Sequence, residues 1–505
     1  MFCLNLAIRE SFSAPHDIGY SIEAVQEANL ATRFNPLFWE CACLSINAGI
    51  SAIDTITDLT QEDNDEEDTL PPEEDNIKNN KSITPNYVKI SKAITDAQLR
   101  GVSIELPDIN KAEADFVPDI EKNGILYSLR TVAAVSDILF QTIIEKRPFI
   151  NFQDFRNKVP TTVSEMVGLI KAGCFDNLVK APRRSLLLHY LNSIAEEEHP
   201  KRDKLTSVQL KKLIADKKCR PKLEIFNKEI RLFNFYQYIK TYQNSPNEKT
   251  KFLLNDVDSL RFFKELHIEL HLKTGSVTHL KDGLLVNKTA FKKWYDQEID
   301  PFIQFLNSQT GLDFYHNWEV SQELDKLKEK YDFNNSVASW EMEQVSFYHS
   351  PHELKNVNKE IYQIRDFNNL PEEPEYEEYE KNGQTIKTTK NVCGIAGTVV
   401  GSNNTKNIIS LLTPYGVVDV KLYRDLYNKF KAKISVIDVT GKKKTTIDDS
   451  WFKRGTKLLV YGFRRENMFV GKQVKINGQN ACILLIEEIL PSGRLKVRSY
   501  RKKAN

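Results

Sequence analysis

Near residue 391 the hydrophobic period of the chain changes from that of helices to two. Residues 392–400, 407–412 and 416–423 read as three consecutive strands with short turns. A helical stretch follows near 424–432, and then the apolar segments 457–463 and 481–489. A period of two puts alternate side chains on opposite faces, which a helix cannot do. Three strands, a helix and two strands is the order of a five-stranded OB-fold β-barrel, here assigned to 389–505. Such barrels hold single strands in a basic groove with aromatic stacking platforms. From Gly441 to the end sixteen Lys and Arg stand against five Asp and Glu, a net of +11 on a chain whose formal charge is +1. That asymmetry is the footprint of a polyanion partner, or else a solvated face. Lys453, Arg454, Arg464 and Arg465 are the candidate phosphate contacts, and Phe463 and Phe469 the candidate platforms. Strand alternation also allows Phe463 to fill the barrel core.

Upstream the pattern is helical. Helices are expected over 18–33 and from 37, separated by Asn35-Pro36, and over 86–101, 133–147 and 162–172, with stops at Gly101, Arg147-Pro148 and Gly173. A short strand is expected at 102–106. From Glu62 to Asp75 there are nine carboxylates and no base around Pro71-Pro72, a stretch that repels itself. The organisation expected is a helical segment over 1–50, an acidic linker over 51–84 and helices over 85–182. A helical insert over 183–355, a second acidic linker over 356–388 and the barrel complete it. The fold class is multidomain α+β, mainly helical before the barrel.

No apolar run approaches the ~18 residues of a membrane span, and mean hydropathy is −0.45. The start, Met1-Phe-Cys-Leu-Asn-Leu-Ala-Ile, has no basic n-region, so a cytoplasmic protein is expected. Seven scattered cysteines make no disulfide framework. Cys41-Ala-Cys43 lacks a second ligand pair, so no metal site is expected. Asp256-Val-Asp258 reads as a helix cap and not as a catalytic carboxylate pair.

A resemblance then becomes visible. Phe12-Ser-Ala-Pro-His16, Tyr20, Gln26 and Phe34-Asn-Pro-Leu-Phe-Trp39 resemble the end of the fingers region of the bacterial replicative DNA polymerase III alpha subunit. Arg100-Gly-Val-x-Ile-x-Leu-Pro-Asp-Ile-Asn-Lys111 and Leu169-Ile-Lys-Ala-Gly-Cys-Phe-Asp-Asn-Leu178 resemble the same family. So do Trp340-Glu-Met-Glu343 and Phe347-Tyr-x-Ser-x-His352-x-Leu354, in the family's order outside about 185–338.

The resemblance implies late fingers, helix-hairpin-helix units over 128–178 and an OB domain: the C-terminal part of a replicative polymerase. Its palm carboxylates, with Mg2+ and deoxynucleotides, would sit on a partner chain, and no catalytic residue or cofactor is expected here. Expected partners are template and primer-template DNA, a palm-bearing fragment and a sliding clamp. Leu223, Ile225 and Phe226 in Lys222-Leu-Glu-Ile-Phe226 have the spacing of a clamp peptide without its glutamine, and equally of ordinary core. His16 is a phosphate contact or a structural histidine. Where the family has Lys-Gly-Val-Gly, this chain has Ala133-Ala-Val-Ser136, and Ala and Ser are expected to strain a turn that needs positive φ. These departures fit a phage or mobile element. The alternative function is a stand-alone, non-catalytic single-strand-binding replisome adaptor.

Overall fold

The computed structural model describes residues 14–34, 36–49, 85–216, 219–242, 249–381, 384–437, 444–476 and 479–502. The expected linker over 51–84 lies outside them. Two compact units divide the chain, Met1–Leu187 with Tyr331–Asn505, and Leu188–Lys330.

The first unit begins with α1 (Ala14–Phe34) and α2 (Pro36–Ala48), Pro36 opening the second because a first helical residue needs no N–H partner. α3 (Tyr87–Leu99) is capped by the Asn86 side chain and stops at Gly101, φ +84°. A small sheet follows: β1 (Ser103–Glu105), β2 (Val117–Asp119) and β3 (Gly124–Leu126), in the order β1-β3-β2. Next come α4 (Asp137–Lys146), α5 (Phe152–Lys158) and α6 (Val163–Ala172). α7 (Arg183–Glu198) contains the boundary between the units.

The second unit holds α8 (Ser207–Ala215), a 3-10 turn at Arg220–Phe226, α9 (Asn227–Tyr242), β4 (Lys251–Leu254) and α10 (Val257–Glu265). β5 (Val277–Leu280), β6 (Gly283–Asn287), α11 (Lys288–Asn307) and α12 (Gln309–Lys330) complete it. Its core gathers Leu213, Phe233, Phe252, Phe291, Phe302 and Tyr315. A mostly helical insert is the expectation. The antiparallel sheet β4-β6-β5 is the difference, and strands of four or five residues are too short to establish a period of two.

The chain returns through α13 (Val337–Val345). The described residues of the expected second acidic linker, 356–388, include paired strands. Ile364 bridges to Gly394 of the barrel, and β7 (Tyr376–Lys381) pairs with β8 (Gln384–Thr389). Register explains how so acidic a run can pair. Glu378 faces Lys387, 3.7 Å away, and Lys387 also lies over the Tyr376 ring.

The barrel comprises β9 (Cys393–Asn403), β10 (Ile408–Thr413), β11 (Gly416–Lys421), then α14 (Arg424–Lys431) and the hairpin β12 (Ile434–Ile437)–β13 (Lys444–Asp448). β14 (Lys457–Arg465) and β15 (Met468–Gly471) close it in the order β9-β10-β11-β15-β14-β9, with β11 and β15 parallel. A closed five-stranded mixed barrel with a helix between its third and fourth strands is an OB fold. One strand assignment changes. After the hairpin β16 (Val474–Ile476)–β17 (Gln479–Ala481), the segment expected to be the fifth strand is β18 (Ile483–Ile489). It pairs with the first half of β14 and carries β19 (Leu495–Arg498). The true fifth strand, β15, has only four residues, too few to compete with that longer apolar run in a sequence pattern.

His352 fastens the link between α13 and the barrel. Its Nε2 donates to Leu412 O at 3.2 Å, and its Nδ1 accepts from Leu354 N at 3.1 Å, which requires the neutral ring. Burial pushes its pKa down to about 4. Between that value and the ~6.5 of an unfolded histidine, the unfolded chain binds more protons. The stabilisation is therefore complete above the unfolded value and is lost as pH falls through the window. Thermal melts at pH 7 and pH 5 are expected to differ by roughly 1–2 kcal/mol from this residue. A His352→Gln chain, less stable at pH 7, should lose that part of the slope; an unchanged slope would place the acid sensitivity elsewhere.

Candidate nucleic-acid interface

The hairpin helices are defined by their caps. Ser136 accepts from Leu139 N at 3.2 Å, Asn151 from Asp154 N at 2.8 Å, and Thr162 with Glu165 forms a capping box. Gly173, φ +83°, ends α6. Phe149, Phe152, Phe155 and Phe175 lock the hairpins in edge-to-face contacts of 4.9–5.1 Å. The strain expected at Ala133–Ser136 is absent, because none of these four residues has a positive φ and Ser136 serves as a helix cap in extended backbone. Ala134 instead stands against Gly168 of α6, where an added Cβ would lie 2.0 Å from the Ala134 methyl.

Helix-hairpin-helix turns hold phosphates with unpaired backbone amides. Here Ala133 N donates to Gln344 O, Phe149 N to Asn110 Oδ1, Ile150 N to Asp154 Oδ2 and Thr162 N to Glu165 Oε2. Those four donors are spent inside the fold.

In the barrel the candidate residues separate into two groups. Phe469 is fully buried, since alternation along β15 turns it into the core, so it is not a stacking platform. Arg454 lies 3.8 Å over the Tyr87 ring and donates to Glu343 O at 2.7 Å and Ser346 Oγ at 3.2 Å. Arg464 lies over Phe367, donates to Leu370 O and pairs with Glu372 at 3.1 Å. Both guanidinium groups are internal ties and not open phosphate contacts. Phe463 is half-buried and Lys453 and Arg465 are exposed, Arg465 with no ion pair among the described residues. Lys453 shares Asp449 with Lys433, at 3.5 and 3.4 Å. Sequence reasoning passed over Lys433 and the 70%-exposed Tyr423. The amphipathic α14 was the available signal, with Tyr427 and Phe430 inward and Lys429 and Lys431 outward.

The remaining candidates lie elsewhere. His16 is on α1, and its side chain is outside the described residues. Leu223 is buried and Phe226 packs on Phe302 and Phe305, leaving Ile225 outward, 81% exposed. A linear clamp peptide needs all three side chains at once, so this turn would have to leave the core. Asp256 caps α10 through Ser259 N at 2.8 Å, while Asp258 pairs with Arg261 at 2.9 Å. That pair does not fit a catalytic metal ion.

A helix-hairpin-helix motif model matches residues 101–186. Over 97% of its length the chain is 34% identical to "Probable DNA polymerase YorL" of Bacillus subtilis and to the "DNA-directed DNA polymerase" of Bacillus phage SPbeta, spanning 35% of each. It is 35% identical over 115 residues to "DNA polymerase III subunit alpha" of Aquifex aeolicus, which is 21% of this chain and 10% of that protein. The chain is thus similar to DNA polymerases along nearly its whole length and to the DNA polymerase III alpha family over part of it. It spans about a third of the length of the phage-type relatives. Among the described residues no helix is long and apolar enough to cross a membrane.

Two outcomes follow from the site. Gly168→Ala should lower unfolding stability by about 1–3 kcal/mol through overpacking, and adding Ala134→Gly should recover most of it in urea titrations; no recovery would mean another contact is responsible. Arg454→Ala should lower the melting temperature, whereas Lys453→Ala with Arg465→Ala should stay within about 0.5 kcal/mol of the parent and weaken single-strand binding. Equal melting temperatures for the two variants would contradict this division.

Proposed function

We propose that these residues are the template-handling, C-terminal portion of a DNA polymerase III alpha-type enzyme, acting in the bacterial cytoplasm. A palm domain outside them performs nucleotidyl transfer, with carboxylate-held Mg2+ ions acting on the deoxynucleotide. The observation that carries this reading is the joining of hairpins and barrel in one compact unit through α13, so that DNA held by the barrel has a fixed position relative to the hairpins. Similarity to DNA polymerases along nearly the whole chain supports it.

Lys453, Lys433 and Arg465 follow the phosphates in this proposal, with Phe463 and Tyr423 as the aromatic surfaces. Exposed cations with aromatic surfaces along one barrel give a salt-dependent affinity for single strands. His16 is the proposed contact to primer-template in the assembled enzyme.

The test is recovery of the tagged chain from its native host, followed by primer extension on the purified material. Extension that requires Mg2+ and deoxynucleotides, together with a palm-bearing polypeptide, fused or separate, is the expected result. A chain that binds single strands, brings no palm and extends no primer would instead be a replisome adaptor.

A further inference from the structure

The second unit carries a cationic groove outside the sequence blocks that resemble the polymerase III alpha subunit. The last turn of α9 contributes Lys240, and the first two turns of α11 contribute Lys288, Lys292 and Lys293. They line an open groove of about 690 Å3 floored by Tyr236 and Phe252, and Asp296 is the one carboxylate among its lining residues. Lys240, Lys292 and Lys293 are exposed. Lys288 lies over the Phe252 ring at 5.3 Å and donates to Lys249 O at 2.8 Å, which holds its stem along the groove. Lys292 pairs with Asp296 at 2.5 Å, and Lys293 makes no ion pair among the described residues.

Lys288 stands in the first turn of α11, which contains no acid, where a helix N-terminus favours anions and disfavours cations. Lys292 is matched within the helix by Asp296, four residues on, and the groove keeps four lysines against that single carboxylate. A single phosphate would leave most of the groove's charge unused, whereas a chain of phosphates could engage both helices in turn. Tyr236, half-buried and backed by Tyr295 at 4.2 Å, gives the floor a rigid aromatic edge. Cations along the walls with an aromatic floor match the requirements of a single strand.

We infer that the second unit is a DNA-binding module in its own right, its Lys240–Lys293 groove taking the phosphate backbone of single-stranded DNA. The inference rests on the reading that this chain handles DNA, and extends it to a unit for which no role has been assigned.

The experiment measures binding of the full chain to fluorescein-labelled oligothymidylate by anisotropy over a range of salt concentrations. Three chains are compared: the parent, K240Q/K292Q/K293Q, and K211Q/K264Q/K281Q as a control that removes three exposed lysines elsewhere in the unit. Lys288 is kept so that the Phe252 contact survives, and equal melting temperatures confirm folding. The groove variant should bind at least about tenfold more weakly at moderate salt, with the slope of log K against log salt reduced by about 2, at ~0.7 per phosphate contact. The control should match the parent. If the groove variant and the control bind alike while the parent binds well, this inference is overturned and the proposed function stands. A parent chain that does not bind the oligonucleotide would overturn both.

Discussion

A carboxylate with no solvent exposure organises the first unit. Glu341, on α13, is fully buried, where an unpaired charge would cost several kcal/mol. It is met from two directions. Arg183 Nη1 donates to Oε1 at 2.8 Å, and Ser350 Oγ joins it there at 2.9 Å. His349 N and Ser350 N reach Oε2 at 3.1 and 2.7 Å. Arg183 is itself held by Asp176, just after α6 at the end of the hairpins, at 2.7 Å. The end of the hairpin region and the turn leading to the barrel are thus both fixed by a charge that can be buried only if both are in place.

The same short helix solves a second problem. The last carbonyls of a helix have no intrahelical partners. Here Glu343 O accepts from Arg454 of the barrel, Gln344 O from Ala133 of the first hairpin turn, and Val345 O from Tyr127 beside β3. Ser346 O, at the cap, accepts from Ser91 of α3. Each neighbouring part of the unit thus satisfies one orphan carbonyl at the end of α13. This explains why Trp340-Glu-Met-Glu343 stands out in the sequence without any exposed chemistry. Those residues resemble the family because they join its parts.

Legibility followed the same division. Caps and stops such as Thr162, Gly101 and Gly173 act within a few residues of themselves, so the helices they bound could be read directly. The barrel was legible because its first four strands each span enough residues to show alternation. Partnership was not legible. Arg454 and Arg464 look no different in sequence from Arg465, yet two are internal ties and one is open to solvent, because charge does not specify which side of a surface it serves. Ala134 and Ser136 misled for a related reason. Lost turn glycines look like strain when considered alone, but Ser136 becomes a helix cap, and Ala134 fits because Gly168 leaves room 34 residues away.

The proposed hold on a polyanion has to be reconciled with a net charge of +1. At physiological salt, charges further apart than ~8 Å are largely screened from one another. Overall neutrality therefore decides little; affinity depends on where cations outnumber the carboxylates beside them. In the first unit, packing engages the Arg454 and Arg464 guanidinium groups, Lys433 and Lys453 share the single carboxylate of Asp449, and Arg465 makes no ion pair among the described residues. In the second unit α9 and α11 bring four lysines around one carboxylate. Close grouping restores locally the positive field that the composition averages away, and does so without making the protein as a whole strongly basic.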